Sequence, residues 1–509
     1  MKLSTKSRYG LRALANLLSQ DCFCSVKQIA QKENISYDYL EKIFSKLKKA
    51  GILKVERGAT GGYSLSRDPQ KITLNEVISA LEKPEFSCPS FCNCQSKSVW
   101  QKIQSGFSNV LNSLTLDQLT ESETNSVYLD YAASTPVDPQ VLASMLPYFS
   151  QTYSGNSLSL HKFGTDASQI IESCRQSFAN ILKVKSSEII FTSSATESNN
   201  TVLKGVAFAN KNKGKHLIIS SIEHDCVLNS AKWLNTQGFE VSQISVDRDG
   251  LLNLDELKKT IRKDTILVSV IHGNNEIGTI QDIQKIGQIC KDNGVYFHTD
   301  ASQSFTKTEI DLSKLNIDFL TASSHKIYGP KGAALLYVKT GTNIMPLLHG
   351  GGHEFGLRSS TLNLPAIIGF TKAAEIAIKN LKTENESITN LRDYLIDNIL
   401  KSIPGSHLNG HRSKRLSNNI NISFDHVEGE SLLLELDFFG IAASTGSACS
   451  SASLEPSHVL LATGLNPEES HSSLRFSLGR FTTKSDLDYL LKILPQVINK
   501  FRQLSPFKN

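Results

Sequence analysis

One short stretch of the sequence, residues 322–332, contains a lysine in an unusual setting. Lys326 directly follows a histidine and stands just ahead of two glycines and a proline. A lysine that forms a Schiff base needs a neutral amine, which requires removal from water or a position near other positive charge. The same letters are also compatible with a surface turn that happens to contain a lysine. Taken alone, the stretch leaves both interpretations open.

A second stretch, residues 296–303, favours the chemical interpretation. Its letters, Tyr-Phe-His-Thr-Asp-Ala-Ser-Gln, predict a short β-strand that ends at Asp300. Ligands of open α/β sheets bind at the carboxyl ends of the strands. Pyridoxal phosphate (PLP) needs a lysine for its aldehyde and an acid that keeps its ring nitrogen protonated. Lys326 and Asp300, about one βα step apart, therefore predict a PLP site in an α/β fold.

Five motifs in chain order carry a resemblance to a known family. They are residues 128–136 (Tyr-Leu-Asp-Tyr-Ala-Ala-Ser-Thr-Pro), 191–199 (Phe-Thr-Ser-Ser-Ala-Thr-Glu-Ser-Asn), 272–278 (His-Gly-Asn-Asn-Glu-Ile-Gly), 323–332 and 444–456. From about Ser126 to the C-terminus the chain resembles the IscS/NifS-type cysteine desulfurases. The resemblance implies a PLP-dependent transferase of fold type I. Its large domain would span about 140–383, and its small domain about 384–509 plus 126–139.

Length and composition agree with a multi-domain enzyme. The 509 residues predict two or three domains, and 39% hydrophobic and 20% charged residues are ordinary for a globular protein. No apolar run approaches the ~18 residues of a membrane span, and the N-terminus lacks the cleavage site of a signal peptide. The nine cysteines are not spaced as a disulfide framework. We therefore expect a cytoplasmic protein without a membrane partner.

The excess positive charge is confined to the first quarter of the chain. Residues 1–125 hold 17 Lys+Arg against 12 Asp+Glu, which accounts for the whole net charge of +5. The remaining residues are balanced. This asymmetry indicates an anionic partner for the N-terminal part alone.

Residues 1–84 have the pattern of a winged helix-turn-helix, which is mainly α. A short helix and a turn precede an amphipathic helix over 37–50, whose apolar residues recur at helical spacing and whose other face carries lysines. A strand over 52–56, a glycine-rich turn and a returning strand over 63–65 form the wing. Such a lysine face is most often only solvated. The turn, the wing and the charge asymmetry together favour binding of double-stranded DNA. Lys42 and Lys46 on the second helix and Arg57 on the wing are the predicted DNA-contacting residues.

This module resembles the winged-helix regulators that include the iron–sulfur cluster regulator IscR. The matching residues are 1–12, 35–51 and 57–63. The resemblance implies that Tyr37, Tyr39 and Glu41 lie at the base-reading end of the second helix. It also implies a dimer formed through a long helix after the wing, for which the apolar stripe within 99–114 is the candidate.

Residues 85–125 combine a cysteine cluster, this helix and a polar linker. Cys88, Cys92 and Cys94 suggest ligation of a metal or an iron–sulfur cluster. The related regulators carry three cysteines here and a fourth ligand nearby. In this chain the spacing is compressed, and Lys97 stands where a histidine is expected. A remote carboxylate such as Glu85, a ligand from a partner subunit, or no fourth ligand are all open. A redox-sensing thiol cluster or a relic are the alternatives.

The desulfurase resemblance also implies roles along the enzyme module. Arg475 and Asn275 would bind the substrate carboxylate, since the planar guanidinium of arginine matches a carboxylate. Glu276 is expected to be structural. The residues implied around the cofactor are Ala195, Thr196, Ser323 and His325 at the phosphate, His224, Asn274, Asp300 and Gln303 at the ring, Lys326 at the aldehyde, and Thr361 at the phosphate of the neighbouring subunit of a homodimer.

Cys449 is the predicted nucleophile. It lies within 443–453, a run of Ala, Ser, Gly and Thr that predicts a mobile loop. Lys326, with His224, would remove the α-proton of L-cysteine, and the Cys449 thiolate would take the sulfur as a persulfide and leave alanine. The sulfur would then pass to an acceptor or an iron–sulfur scaffold protein, and Cys449 is also a candidate for transient cluster ligation. The alternatives are a PLP- or cluster-sensing regulator without turnover, an aminotransferase, or a selenocysteine lyase.

Overall fold

The computed structural model describes residues 4–18, 23–33, 35–56, 61–82, 105, 111–119, 126–150, 155–445 and 455–504. The chain divides into two compact units, Met1–Asn125 and Ser126–Asn509. Several sequence predictions fall outside the described residues, namely those for Arg57, Cys88, Cys92, Cys94, Cys449 and most of the apolar stripe within 99–114.

The N-terminal unit is the predicted winged helix-turn-helix. Its elements are α1 (Thr5–Leu18), α2 (Val26–Glu33), α3 (Tyr37–Lys49), β1 (Leu53–Glu56), β2 (Gly62–Leu65) and α4 (Leu74–Leu81). The strands pair antiparallel, from Leu53 opposite Leu65 to Glu56 opposite Gly62. Gly62 lies against the backbone of Cys24, where a Cβ atom would meet the Cys24 carbonyl oxygen at 2.4 Å. Only glycine fits there, and this contact seats the wing on the segment before α2.

Helix α3 forms because its apolar residues lie on one face. Leu40, Ile43, Phe44 and Leu47 are buried in the core of the unit, as their spacing predicts. Ser36 directly precedes the helix, and its side chain makes no capping hydrogen bond. The helix ends before Gly51, whose φ of +73° lies in the left-handed region that glycine tolerates best.

The second unit contains a seven-stranded mixed sheet in the order β4-β10-β9-β8-β7-β5-β6. Only β10 runs antiparallel to its neighbours. All strands except the edge strand β6 are buried along almost their whole length, as expected for strands with helices on both faces, and most of their residues are apolar. The strands are β4 (Ile189–Thr192), β5 (His216–Ser220), β6 (Glu240–Ile244), β7 (Thr265–Ser269), β8 (Tyr296–Asp300), β9 (Phe319–Ser323) and β10 (Ala334–Val338).

Helices cover both faces of this sheet. One core includes residues of α7 and α12, and a second core on the other face includes residues of α8 and α9. This three-layer α/β arrangement confirms the predicted fold class. The helices up to α12 are α5 (Pro139–Met145), α6 (Pro147–Ser150), α7 (Lys162–Leu182), α8 (Ala195–Ala209), α9 (Asp225–Thr236), α10 (Leu254–Thr260), α11 (Ile283–Asp292) and α12 (Leu364–Lys379).

A smaller three-stranded antiparallel sheet, in the order β11-β12-β14, forms a separate core with helices of the C-terminal part. Val127 and Leu129 belong to this core, so the start of the unit packs with its end. The elements are α13 (Leu381–Ser402), β11 (Ser406–Leu408), β12 (Asn419–Phe424), α14 (Gly429–Phe438), β13 (Ile441–Ala442), α15 (His458–Ala462), α16 (Pro467–His471), β14 (Ser473–Ser477) and α17 (Lys484–Leu504), and β13 pairs with β3 (Val127–Tyr128).

Within the part of the chain that the structure describes, no helix combines the length and apolar character that crossing a membrane requires.

Candidate active site

A cavity of about 310 Å³ lies at the carboxyl ends of the strands of the large sheet. Segments that follow β4, β5, β7, β8 and β9 all contribute to its wall, as expected for a ligand site in an α/β sheet. The structure brings nine of the predicted site residues together here: Ala195, Thr196, His224, Asn275, Asp300, Gln303, His325, Lys326 and Arg475.

Lys326 lies on a short helical turn directly after β9. Its Nζ atom donates to the backbone carbonyls of Ala132 and Ala133, each at 2.7 Å. These carbonyls belong to the motif at 128–136. The turn is fixed to the same segment, because the Tyr328 N–H donates to Thr135 Oγ1 at 2.7 Å. The first and fourth sequence motifs thus meet at the amine of the predicted reactive lysine.

Asp300, the last residue of β8, is almost fully buried at the cavity wall. Its Oδ2 accepts a hydrogen bond from Asn199 Nδ2 at 2.6 Å, and its Oδ1 accepts from the Ser302 N–H at 2.9 Å. Hydrogen bonds to both oxygens hold the carboxyl group in one orientation. Asn199 lies on α8 within the second motif, so it holds the predicted acid in place.

The N-terminus of α8 opens onto the cavity through Ala195 and Thr196. Ser194 caps the helix by accepting from the Glu197 N–H at 3.1 Å. The first turn of a helix has free N–H groups and a positive dipole end, and both favour an anion. Glu197 in this turn is paired with Arg358 at 2.8 Å.

His224 is the residue that caps α9. Its Nδ1 accepts a hydrogen bond from the Cys226 N–H at 3.2 Å. A ring nitrogen that accepts a hydrogen bond carries no proton, so neutral His224 has its proton on Nε2. The position of His224 at a helix start therefore selects one tautomer of the imidazole.

Cys226 is a cavity residue that the sequence reasoning missed. Its Sγ atom lies 3.1 Å from His224 Nδ1 and accepts from Asn199 Nδ2 at 3.2 Å. Its sequence position offered a signal, because it stands two residues after a predicted cofactor residue at the start of a helix.

Glu276 was expected to be structural, and in the structure it contacts both the small sheet and the cavity. Its backbone carbonyl accepts from Asn419 and Asn421 of the small sheet, while the residue also lines the cavity. Burial raises the pKa of its carboxyl to about 7 although Ser457 Oγ donates to Oε2 at 2.5 Å. The neighbouring His458 also lines the cavity, and sequence reasoning predicted a cavity position for neither Glu276 nor His458.

Arg475 lies on β14 with its side chain buried at the cavity wall. Nη1 donates to the Asn275 carbonyl at 3.0 Å, and Nη2 donates to Asp130 Oδ1 at 2.8 Å. Among the described residues, Nε is buried without a hydrogen-bond partner. An unpaired buried N–H of this kind is costly, and an anionic ligand would satisfy it.

His325 lines the cavity beside Lys326, and its Nδ1 lies 3.3 Å from Ser134 Oγ. Burial, followed by the charge of Lys326, lowers the pKa of His325 to about 4. The ring is therefore neutral near pH 7 and can donate from one nitrogen only.

Three predicted cofactor residues do not line the cavity. One of them is Asn274, whose side-chain amide donates to the Ile222 carbonyl at 2.9 Å and accepts from the N–H groups of Glu276 and Ile277. These bonds hold the turn after β7 and direct Asn275 to the cavity instead. The assignment of Asn274 to the cofactor ring stays a prediction. Ser323 is buried at the end of β9, and Thr361 is exposed.

The predicted DNA-contacting residues lie on α3. Tyr37, Glu41, Lys42 and Lys46 are exposed, whereas Tyr39 is partly buried and packs edge-on against Tyr9. Repulsion by Lys6 lowers the pKa of Lys46, so two cations lie side by side on this surface. The described residues hold no group of three His, Cys, Asp or Glu that could bind a metal, and the three clustered cysteines lie outside those residues.

Comparisons with known proteins agree with this geometry. Residues 127–490 match the family described as Aminotransferase class-V, and residues 3–122 match the Rrf2 family, described as Iron-dependent Transcriptional regulator. The chain is 50% identical over 385 residues to cysteine desulfurase IscS of Methanosarcina thermophila, covering 76% of this chain and 95% of the relative. It is equally identical over 382 residues to cysteine desulfurase IscS of Dictyoglomus turgidum, covering 75% and 97%.

Two solved structures share the fold of the enzyme unit. A NifS-like protein is 36% identical, with a TM-score of 0.69, and the match covers 74% of this chain and all of that protein. A NifS-like protein from Rickettsia africae ESF-5 is 32% identical, with a TM-score of 0.66, and the match covers 74% and 99%.

Proposed function

The chain belongs to the class-V aminotransferase family as an IscS-type cysteine desulfurase fused to an Rrf2-type transcription-regulator domain, and we propose how its residues perform these functions. The cofactor is PLP, which supplies an aldehyde for covalent attachment and a ring that stores electrons. The substrate we propose is L-cysteine, and the products are L-alanine and a persulfide. The observation that carries the proposal is the position of Lys326 and Asp300 on the wall of one cavity.

The cavity has the features that PLP requires. It offers an amine, a buried carboxylate with both oxygens hydrogen-bonded, and a helix N-terminus for the phosphate. We assign Lys326 to the aldehyde and Asp300 to the ring nitrogen. The remaining assignments are Ala195, Thr196, Ser323 and His325 to the phosphate, His224, Asn274 and Gln303 to the ring, and Thr361 to the phosphate of the other subunit in a homodimer.

The carboxylate of the substrate would bind between Asn275 and Arg475. Support comes from the buried Nε of Arg475, which has no partner among the described residues. Asp130 and the Asn275 carbonyl hold the other two guanidinium nitrogens, so the Nε–H is oriented before the substrate arrives. Fixed orientation of the substrate lowers the entropy cost of the reaction.

Lys326 is the base that takes the α-proton of the substrate. The sequence suggested that His224 shares this task, but Nδ1 accepts a hydrogen bond and the ring proton lies on Nε2. A neutral histidine in this tautomer donates a proton from Nε2 and does not accept one there. We therefore assign His224 to proton donation and Lys326 to proton removal.

Cys449 is the residue that takes the substrate sulfur. Its thiolate attacks the sulfur atom, and a persulfide forms on Cys449 as the bond between that sulfur and the substrate Cβ breaks. The electron pair of the broken bond stays with the substrate carbon, which takes up a proton and leaves as alanine. The sulfur then passes to an acceptor or scaffold protein for iron–sulfur cluster assembly. Transient cluster ligation by Cys449 is a second proposal for the same thiol. Turnover rates of the purified enzyme with L-cysteine and with L-selenocysteine distinguish a cysteine desulfurase from a selenocysteine lyase.

The N-terminal unit binds double-stranded DNA through α3 and the wing. We assign base contacts to Tyr37, Tyr39 and Glu41 and phosphate contacts to Lys42, Lys46 and Arg57. The exposed lysines on α3 and the excess positive charge of this unit support the assignment. An iron–sulfur cluster on Cys88, Cys92 and Cys94 would supply the regulatory signal. We propose that the protein acts in the cytoplasm, where such a cluster and the DNA are both accessible.

The experiment that tests the enzyme proposal measures alanine and persulfide formed from L-cysteine by the full chain with PLP. Lys326→Ala should abolish both products, and Cys449→Ala should abolish the persulfide. Lys331→Ala is the matched control, because Lys331 is an exposed lysine five residues away. Alanine transfer to a keto acid without any persulfide would indicate an aminotransferase. No turnover of any amino acid would indicate a ligand-sensing regulator, and either result would overturn the proposal.

A further inference from the structure

One thiol lies between two residues assigned to the cofactor ring. Cys226, in the first turn of α9, has its Sγ atom 3.1 Å from Nδ1 of His224. On its other side, Sγ accepts a hydrogen bond from Asn199 Nδ2 at 3.2 Å. The same Asn199 nitrogen donates to Asp300 Oδ2 at 2.6 Å. These contacts form one continuous series of hydrogen bonds from Asp300 to His224.

The side-chain amide of Asn199 sets the direction of this series. An amide nitrogen carries two hydrogens, and here one points to Asp300 Oδ2 and the other to Cys226 Sγ. Asn199 is fully buried, and among the described residues its Oδ1 has no hydrogen-bond partner. An unsatisfied buried acceptor is costly. The two donated hydrogen bonds are therefore the contacts that hold the amide in this orientation.

The direction continues through the thiol. Sγ receives a hydrogen from Asn199, so its own hydrogen is left for the contact with His224. Nδ1 of His224 accepts from the Cys226 N–H at 3.2 Å and carries no hydrogen when the ring is neutral. The short contact between Sγ and Nδ1 therefore requires the S–H group as its donor. The N–H and the S–H of one residue thus both donate to the same ring nitrogen.

Two donors at Nδ1 restrict the His224 ring more than one donor does. A half-turn of the ring about the Cβ–Cγ bond would replace Nδ1 by a C–H group, and both donors would lose their acceptor. The backbone of Cys226 is fixed as well, because Ser230 Oγ donates to its carbonyl at 2.7 Å. Hydrogen bonds in such a series polarise one another in a protein interior. Ring orientation and tautomer are therefore set together.

We propose that Cys226 is a positioning residue for His224: its S–H group, oriented by Asn199, holds the imidazole in the orientation and tautomer that carry the hydrogen on Nε2. This hydrogen is the one that His224 donates in the proposed function, so the inference rests on that role, and its test separates the two. Because the series begins at Asp300, it positions the acid assigned to the ring nitrogen and the histidine assigned to the ring as one unit.

The test observes the ring nitrogens of His224 directly. NMR spectra are recorded of the full chain, free of PLP and labelled with 15N-histidine, and of Cys226→Ala and Cys226→Ser. The signals that disappear in His224→Gln identify the ring. The two nitrogens of a neutral imidazole resonate at well-separated frequencies, according to which one carries the hydrogen. The natural chain should show Nδ1 without a hydrogen.

Cys226→Ala should move the Nδ1 signal, because the S–H donor is lost, and Cys226→Ser should reverse this change, because its O–H group donates in the same place. In the chain with PLP, Cys226→Ala should lower kcat for alanine formation about fivefold, the effect of one neutral hydrogen bond. KM should stay unchanged, since the substrate carboxylate binds elsewhere, at Asn275 and Arg475. Cys226→Ser should recover most of the loss in kcat.

Cys290→Ala is the matched control. It removes a thiol of α11 that is buried in the core beside the large sheet, and it should change neither the His224 signals nor kcat. An equal change in this control would mean that loss of any buried thiol disturbs the site, and it would overturn the proposal.

The remaining outcomes separate the two levels of the argument. A hydrogen on Nδ1 in the natural chain would overturn the proposal, and this result needs no variant to fold. Identical His224 signals in the natural chain and in Cys226→Ala would overturn it too. Moved signals with an unchanged kcat would remove the positioning role and leave the enzyme proposal intact. Moved signals in a chain that forms no alanine from L-cysteine would overturn the role assigned to His224, and with it that of Cys226.

Discussion

Glu276 should make the stability of the enzyme unit depend on pH. Its carboxyl is fully buried at the cavity wall, and burial raises its pKa from 4.5 to about 7. The folded state therefore holds its proton more tightly than the unfolded state does. As pH rises from about 4.5 to 7, the unfolded chain releases this proton first, and stability falls. Above pH 7 the full penalty, about 3 kcal/mol, is present.

Glu276→Gln removes the ionisation and retains an acceptor for Ser457 Oγ. The variant should match the natural chain at pH 5 and exceed it at pH 8.5. With an unfolding entropy of about 2.1 cal/mol/K per residue, a gain of about 3 kcal/mol corresponds to a rise of about 4 °C in Tm for the larger unit. Thermal unfolding followed by circular dichroism, with both chains freed of cofactor, gives the two differences.

Glu386→Gln, at an exposed position of α13, is the control and should show no pH-dependent difference in Tm. A gain of equal size at both pH values would mean that the glutamine packs better and that the carboxyl does not ionise in this range. Absence of any gain at pH 8.5 would refute the reasoning from burial. The same variant reports on catalysis only through its pH profile, because Glu276 also lines the cavity.

Three further outcomes are expected. Arg475→Lys should raise KM for L-cysteine about tenfold or more in steady-state assays, because an ammonium cannot reproduce the oriented Nε–H of the guanidinium. An unchanged KM would contradict the proposed contact between Arg475 and the substrate carboxylate. Lys46→Ala should weaken DNA binding at all sequences and reduce the slope of log K against log[salt] by about one, measured by fluorescence anisotropy. Protein purified without oxygen should contain iron and acid-labile sulfide that Cys92→Ala loses, and equal iron in both chains would exclude the cluster on these cysteines.

The sequence predicts the fold well where one residue pattern has one physical meaning. In α3, the spacing of Leu40, Ile43, Phe44 and Leu47 permits only a helix with one buried face, and the structure has that helix. The acid at the end of β8 was equally constrained, because a polar residue after a buried strand lies at the sheet edge. Hydrogen-bond detail was less constrained, as the missing side-chain cap of Ser36 shows.

The candidate site was harder to predict where a residue reaches the cavity from a segment outside the recognised motifs. Cys226 and His458 contribute to the cavity through elements that are distant in sequence, and neither has a periodic signal of its own. The Lys326 amine and the Gln303 side-chain amide likewise meet at one acceptor, the Ala132 carbonyl, and no sequence spacing encodes a contact that runs through a backbone carbonyl of a distant segment.

The motif at 272–278 shows why adjacent side chains receive different tasks. The turn after β7 reverses direction at Gly278, whose φ of +76° suits glycine. Such a turn leaves backbone N–H groups without partners in the sheet, and Asn274 satisfies two of them with its side-chain oxygen. Its neighbour Asn275 and the carboxyl of Glu276 are then the groups that reach the cavity. The requirement to satisfy the buried backbone thus ties the Asn274 side chain into the turn, and it places a protonatable acid in the same cavity wall as Arg475.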